Sequence, residues 1–343
     1  MILCVCLDVK QVINNINDNL SMDSSDVVAE QLLFNESANV PDITAVTISY
    51  LFCIFSGLLS VLITFGNLLV IISIAYFKQL HTPTNFLMLS LAVADLLVGL
   101  FILPFTVILF VSSYWRLYDL LCRVRSSLDM LLCNSSIWNM CFISVDRYYA
   151  VCHPLIYRIK INVRVVGIMI MLSWTIATLN GIIITFQAPD KGQKNKRCAS
   201  FQNKAQGTIV VGLLISFLFP AIVMFALYLK IFMVAQRQAR SILSMANSAA
   251  AASKMEKKAT KTLSIVVGSF LLSWTPFLLC LCFNPLSNYT IPFHVMQFFK
   301  WLGWSNSMFN AFIYAFFYSW FRSAFRMIMT GKIFKDVSNC KLF

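Results

Sequence analysis

The chain has 343 residues, of which 59% are apolar and 12% charged, against about 45–50% and about 25% in soluble globular proteins. Lys and Arg outnumber Asp and Glu 27 to 14, a formal net charge of +13. A soluble core cannot hide so much apolar surface, and a disordered chain would be poor in Phe, Ile and Leu. The composition therefore specifies a polytopic membrane protein.

Residues 1–45 read as an extracellular tail without structure of its own. The apolar start, Met1 to Cys6, is too short for the core of a cleaved signal peptide, and Met22 is an alternative start. The tail is acidic and carries two N-x-[ST] sequons, making Asn19 and Asn35 candidate glycosylation sites. A bilayer span needs about 20 mostly apolar residues. Seven runs qualify, near 46–77, 84–111, 119–150, 163–187, 206–236, 258–283 and 293–316. They lack the alternation of a membrane barrel. The expected fold is an all-α membrane protein: a seven-transmembrane helix bundle over 46–316, then a short amphipathic helix and cytoplasmic tail over 317–343. Arg158, Lys160, Arg164, Arg237, Arg240, Lys254, Lys257, Lys258 and the tail cations fall on one side, which the positive-inside rule makes cytoplasmic.

The third run is the least apolar, because Arg123, Arg125, Asp129, Asn134 and Asn139 interrupt it. Charges are expensive in lipid, so this helix belongs inside the bundle. Eleven Cys include no C-x-x-C pair, and with three His a metal site is not expected. Cys122, at the outer end of the third run, and Cys198, in the polar loop 188–205, sit on the oxidising side and are expected to pair. Cys340 is a candidate for palmitoylation.

Prolines at 104, 220 and 276 interrupt the runs, and each removes a backbone hydrogen bond and kinks its helix. Asp95 is a lone carboxylate in the second run. Asn67, Ser136, Asn306, Ser307 and Asn310 are its candidate partners, either in a purely structural network or around a sodium ion that biases conformation. No other cofactor is expected.

Asp129 precedes Arg147 by 18 residues on the third run, about 27 Å along a helix, so the two face opposite membrane surfaces. A buried carboxylate without a metal-ligand set suits an ammonium ligand. Aromatic faces from Trp274, Phe277, Trp301 and Trp304 would add cation–π attraction. Met130, Cys133, Ser216 and Lys300 complete the candidate ligand-binding set. At the other end, Asp146-Arg147-Tyr148 with Glu256 offers an ionic contact that breaks when helix ends separate. Pro276, Tyr228 and Tyr314 join this candidate switch.

These positions together resemble rhodopsin-like G-protein-coupled receptors over about residues 46–335. The motifs fall one per run: Gly66-Asn67, Leu91 to Asp95, Asp146-Arg147-Tyr148, Trp174, Pro220 with Tyr228, Trp274-Thr275-Pro276-Phe277, and Asn310 to Tyr314. The stretch Asn306-Ser307-Met308-Phe309-Asn310-Ala311-Phe312-Ile313-Tyr314-Ala315-Phe316-Phe317-Tyr318-Ser319-Trp320-Phe321 is similar to the seventh-span signature of trace amine-associated receptors, with one proline lost. The resemblance implies olfactory sensing of a small amine at the plasma membrane. It also implies coupling to a stimulatory heterotrimeric G protein with a rise in cyclic AMP. Arrestin, receptor kinase and membrane lipids are further implied partners; nucleic acid is not.

The chain departs from that pattern in three places. Ala311 replaces the expected proline, so the seventh helix should be less kinked. Trp304 stands where many relatives carry Tyr, removing a hydroxyl that would help hold Asp129. Cys4 and Cys6 lack an obvious partner in the 188–205 loop. Lys300 is unusual for an amine pocket and leaves three readings open: a snorkelling basic rim, an internal partner of Asp129 with which the ligand competes, or a contact for a zwitterionic or anionic ligand. A biogenic amine receptor of the serotonin or adrenergic type is the runner-up. A transporter would predict inverted repeats, and an enzyme would need H-E-x-x-H, G-x-S-x-G or a P-loop. None is present in the sequence, so no catalytic residue is assigned.

Overall fold

A computed structural model of the chain describes residues 43–111, 118–186, 214–243, 265–266, 268–283 and 291–330. Among these residues every regular element is helical. The elements are α1 (Ile43–Tyr76), α2 (Pro83–Leu97), α3 (Leu103–Val111), α4 (Tyr118–Cys152), α5 (Pro154–Lys160), α6 (Val163–Phe186), α7 (Phe219–Leu243), α8 (Gly268–Phe283), α9 (Phe293–Phe317) and α10 (Ser319–Met329). Five stretches are long and apolar enough to cross a membrane: Tyr50–Tyr76, Pro83–Leu109, Leu121–Cys152, Val163–Ile183 and Ser216–Arg237. Gly268–Phe283 is a shorter apolar helix. Asn19, Asn35, Cys198, Glu256 and Cys340 lie outside the described residues.

Burial follows the polarity expected of a protein immersed in lipid. α4 is the least apolar of the five stretches, yet 67% of its apolar window is buried, against 22% for α6. Its polar residues Asn134, Ser135, Asn139 and Ser144 point inward and are buried. The outer faces are apolar instead: Leu51, Ile54, Leu58 and Val61 on α1, Ile168 and Met171 on α6, and Phe219, Ile222 and Phe225 on α7 are exposed. Water would penalise such a surface, whereas lipid does not. α4 packs against α2, α6 and α7, and α9 closes against α1 and α2.

Local chemistry sets where helices start and bend. Thr82 caps α2, accepting from the Asn85 backbone N–H at 3.3 Å, with Pro83 at the first helical position where its missing donor costs nothing. Between α2 and α3 the chain widens into a π turn, Val98–Ile102, where the Leu103 N–H reaches back to the Val98 carbonyl. In that register the next donor would be residue 104, a proline without an N–H. Ser60 on α1 supplies the missing donor, its hydroxyl giving a 2.7 Å bond to the Gly99 carbonyl. A second π turn, Leu214–Leu218, precedes Pro220 at the start of α7. Both irregular turns lie just ahead of a proline.

α9 runs unbroken through Ala311. A Cβ built on Gly66 would lie 2.7 Å from the Ala311 Cβ, so α1 and α9 touch there only because residue 66 has no side chain. After α9 the chain turns at Tyr318 into α10, which buries Trp320, Phe321 and Ala324 and exposes Arg322 and Arg326.

Candidate ligand site and cytoplasmic switch

The carboxylate of Asp129 is the centre of the first cluster. It projects from α4 and is 3% exposed as a residue. Three groups hold it. The Lys300 ammonium on α9 lies 2.7 Å from Oδ2, the Trp304 indole N–H donates to Oδ1 at 2.8 Å, and the Cys133 thiol approaches Oδ1 at 3.4 Å. Trp304 therefore supplies the donor that loss of the tyrosine hydroxyl was expected to remove. The Lys300 Nζ is also 5.3 Å from the Trp304 ring and 6.0 Å from the Phe277 ring. Asp129 and these aromatic faces surround one ammonium group, and that ammonium belongs to the protein.

The other predicted ligand residues fall at varying distance from this centre. Trp274 and Phe277 on α8 are buried with ring centroids 6.3 Å apart. Trp274 lies against Gly303, where an added Cβ would come within 2.9 Å of the indole. Trp301 turns away to α1, its ring tilted against Phe52 at 4.1 Å and stacked on Phe55 at 5.2 Å. Met130 is half-buried, its carbonyl accepting from Asn134. Ser216 is half-buried in the π turn ahead of α7. Arg125, which the sequence marks only as an interruption, enters the site too. Its Nε donates to Thr106 at 3.2 Å, and its guanidinium sits 5.2 Å from the Trp304 ring. Cys122, at the same end of α4, is disulfide-bonded.

Asp95 centres the second cluster, fully buried between α2, α4 and α9. Ser136 and Ser307 donate to Oδ1 at 2.9 and 2.8 Å, and the Asn310 amide donates to Oδ2 at 2.9 Å. Asn67 bonds the Ser307 carbonyl at 3.1 Å and stands behind these donors. Asn306 directs its amide to the Met140 sulfur at 3.7 Å. The side-chain oxygens of Asn67, Asn306 and Asn310 are buried without a hydrogen-bond partner among the described residues.

The third cluster lies at the far end of α4. Asp146 accepts from Thr84 at 2.9 Å and from Tyr157 at 2.8 Å, and pairs with Arg147 at 2.6 Å. Arg147 also donates to the Thr84 hydroxyl. Burial pushes the Tyr157 hydroxyl above the ordinary phenol range, so it stays protonated and donates to Asp146 at physiological pH. Tyr148 turns outward to His153, at 3.3 Å. Tyr228 and Tyr314 meet at one small cavity, lined also by Met140, Ser144 and Tyr318. Nothing in the sequence assigns Thr84 and Tyr157 to Asp146, and their part becomes visible only when α2 and α5 are placed beside α4. A fourth contact, the Trp174 indole to Ser90 at 3.0 Å, ties α6 to α2.

Comparison with known proteins adds what geometry alone does not carry. The profile of the 7 transmembrane receptor (rhodopsin family) matches residues 66–314. The chain is 42% identical to trace amine-associated receptor 4 of Mus musculus over 291 residues, covering 80% of this chain and 83% of that protein. It is 40% identical to trace amine-associated receptor 1 of Macaca mulatta over 299 residues (81% and 87%). Against trace amine-associated receptor 5 of Mus musculus it is 40% identical over 294 residues (83% and 86%). With anchors of that family on α1, α2, α4, α6, α7, α8 and α9, the chain belongs to the trace amine-associated receptors of the rhodopsin family, and is a multi-pass plasma-membrane receptor rather than an enzyme.

Proposed function

We propose that the chain is a seven-span receptor with its N-terminus outside the cell. It binds a small amine through Asp129 and signals through a stimulatory heterotrimeric G protein that raises cyclic AMP. The observation that carries this reading is the ammonium already seated at Asp129. Lys300 Nζ lies 2.7 Å from the carboxylate and within cation–π range of two aromatic rings. A ligand ammonium taking that place would displace Lys300 and alter the packing of α9 against α8, where Trp274 rests on Gly303.

The signal would be read at the other end of α4. Release of Arg147 from Asp146 and Thr84 frees a half-buried cation for a G-protein partner. Beside it, α5 presents Leu155 (94% exposed) and Ile159 (73% exposed), an apolar contact facing the cytoplasm. Relatives bearing the name trace amine-associated receptor support the ligand class.

The residues around Asp95 fit a sodium ion. Asp95, Ser136, Asn306, Ser307 and Asn310 would hold it, and the partnerless amide oxygens of Asn306 and Asn310 are the kind of donors that hard cations take. The ion would supply a positive charge to offset the buried carboxylate and favour one packing of α2, α4 and α9. Cells expressing the full chain with a cyclic AMP reporter, screened with primary, secondary and tertiary amines, test the reading. A reproducible rise with at least one amine is expected. A response that appears only through an inhibitory or calcium-linked G protein would contradict the coupling.

A further inference from the structure

Among the described residues the outer cluster holds more positive than negative charge. Lys300 is paired with Asp129, which leaves Arg125 over. Arg125 lies four residues before Asp129, one turn toward the Cys122 end of the same helix, and is 8% exposed. A guanidinium has five N–H donors. Nε is used by Thr106, but Nη2 is buried with no partner among the described residues. A buried donor left unmade is costly, and more so when charged. Lys300 and Arg125 lie 5.3 and 5.2 Å from the same Trp304 ring, so both cations border one aromatic platform beside Asp129.

The two cations and one anion discriminate among ligands. A plain amine at Asp129 would evict Lys300 and leave both Lys300 and buried Arg125 without a carboxylate partner among the described residues. An amine that also carries a carboxylate resolves this. Its ammonium takes Asp129, and its carboxylate receives the released Lys300 ammonium and the free N–H of Arg125, whose planar fork suits a carboxylate. We infer that Arg125 and Lys300 form an acid-binding subsite, and that the ligand of this receptor is an amino acid rather than a plain amine. The inference rests on the reading of Asp129 as the ammonium site and names the second half of the ligand.

The test uses the full chain purified into nanodiscs of neutral lipid, with binding read as a shift in thermal unfolding, independent of any G protein. The probes are matched triplets: phenylalanine, phenethylamine and 3-phenylpropionate; leucine, isopentylamine and 4-methylpentanoate; tyrosine, tyramine and 3-(4-hydroxyphenyl)propionate. In at least one triplet the amino acid should stabilise the wild type at a concentration at least tenfold below its amine. Arg125→Met and Lys300→Met should each weaken the amino acid at least tenfold, while Lys300→Met strengthens the amine. Arg125→Lys keeps the charge and loses the fork, and should give an intermediate loss even if Arg125→Met folds poorly. Amines that outrank their amino acids in every triplet overturn the inference and leave the amine reading intact. Amino-acid binding unchanged in Lys300→Met and Arg125→Lys also overturns it, as does a wild type that no probe stabilises. Asp129→Asn scores the amine reading separately. If the carboxylic acid alone binds as tightly as the amino acid and Asp129→Asn weakens neither, the ammonium site fails and the acid subsite stands.

Discussion

The Lys300 ammonium stands 2.7 Å from Oδ2 of Asp129, on a helix 171 residues further along the chain. The pair joins α4 to α9 at the carboxylate proposed to receive the ligand amine, so on that proposal Lys300 competes with the ligand. Lys300 is partly accessible and Asp129 nearly buried, with side-chain exposures of 19% and 5%. Lys300 is therefore the more accessible member of the pair.

Replacing Lys300 with Met keeps most of the stem and removes the charge. Hydrogen bonds to charged groups contribute roughly 1.5–3 kcal/mol, and about 1.4 kcal/mol is a factor of ten. Plain amines should therefore gain affinity by about ten- to a hundredfold in Lys300→Met. The empty receptor should unfold at a lower temperature, because Asp129 is left buried with one partner fewer. Amine titrations and thermal unfolding of the two proteins check both outcomes; equal affinities would show that the pair does not compete with ligand.

Asp146 is held by Thr84 and Tyr157 as well as by Arg147. Thr84→Val and Tyr157→Phe each remove one hydroxyl donor while nearly conserving shape. Both should raise ligand-free signalling a few-fold by loosening the hold on Arg147. Cyclic AMP at matched surface expression measures this. Basal output at or below wild type in both variants would count against the cluster as a restraint.

Asp95→Asn preserves the size of the side chain and removes its charge. Wild-type ligand affinity should differ between sodium and choline buffers of equal ionic strength, and the difference should vanish in Asp95→Asn. A sodium effect that persists in the variant would place the ion elsewhere.

The contact between Gly66 and Ala311 predicts a mutual rescue. An added methyl on residue 66 would lie 2.7 Å from the Ala311 Cβ, and overpacking of this kind costs about 1–3 kcal/mol. Gly66→Ala should lower thermal stability, and Ala311→Gly should restore much of the loss in the double variant. Additive effects of the two changes would mean that α1 and α9 are not in contact there.

Much of this organisation is legible in the sequence because hydrophobic run length and buried charge are strong signals. The third run, weakest by hydropathy, became the most buried of the five membrane-length stretches, since its polar residues have nowhere else to go. The polar neighbours the sequence offers Asp95 include all three groups that donate to it, Ser136, Ser307 and Asn310. Contacts that depend on helix rotation are less legible. Trp301 and Trp304 are three residues apart, yet one faces α1 and the other bonds Asp129. The partnerless Nη2 of Arg125, the meeting of the Thr84 and Tyr157 hydroxyls at Asp146, and the Ser60 bond across to Gly99 cannot be read from the sequence. Each arises from which faces of two distant helices meet.

In the proposed receptor the Asp129 carboxylate receives the ligand ammonium. The most direct measurement compares wild type with Asp129→Ala in the cyclic AMP reporter, at equal surface expression, across amines and their amino acids. Responses present in the wild type should disappear in Asp129→Ala for every ligand bearing an ammonium. An ammonium-dependent response of undiminished potency in Asp129→Ala would contradict it.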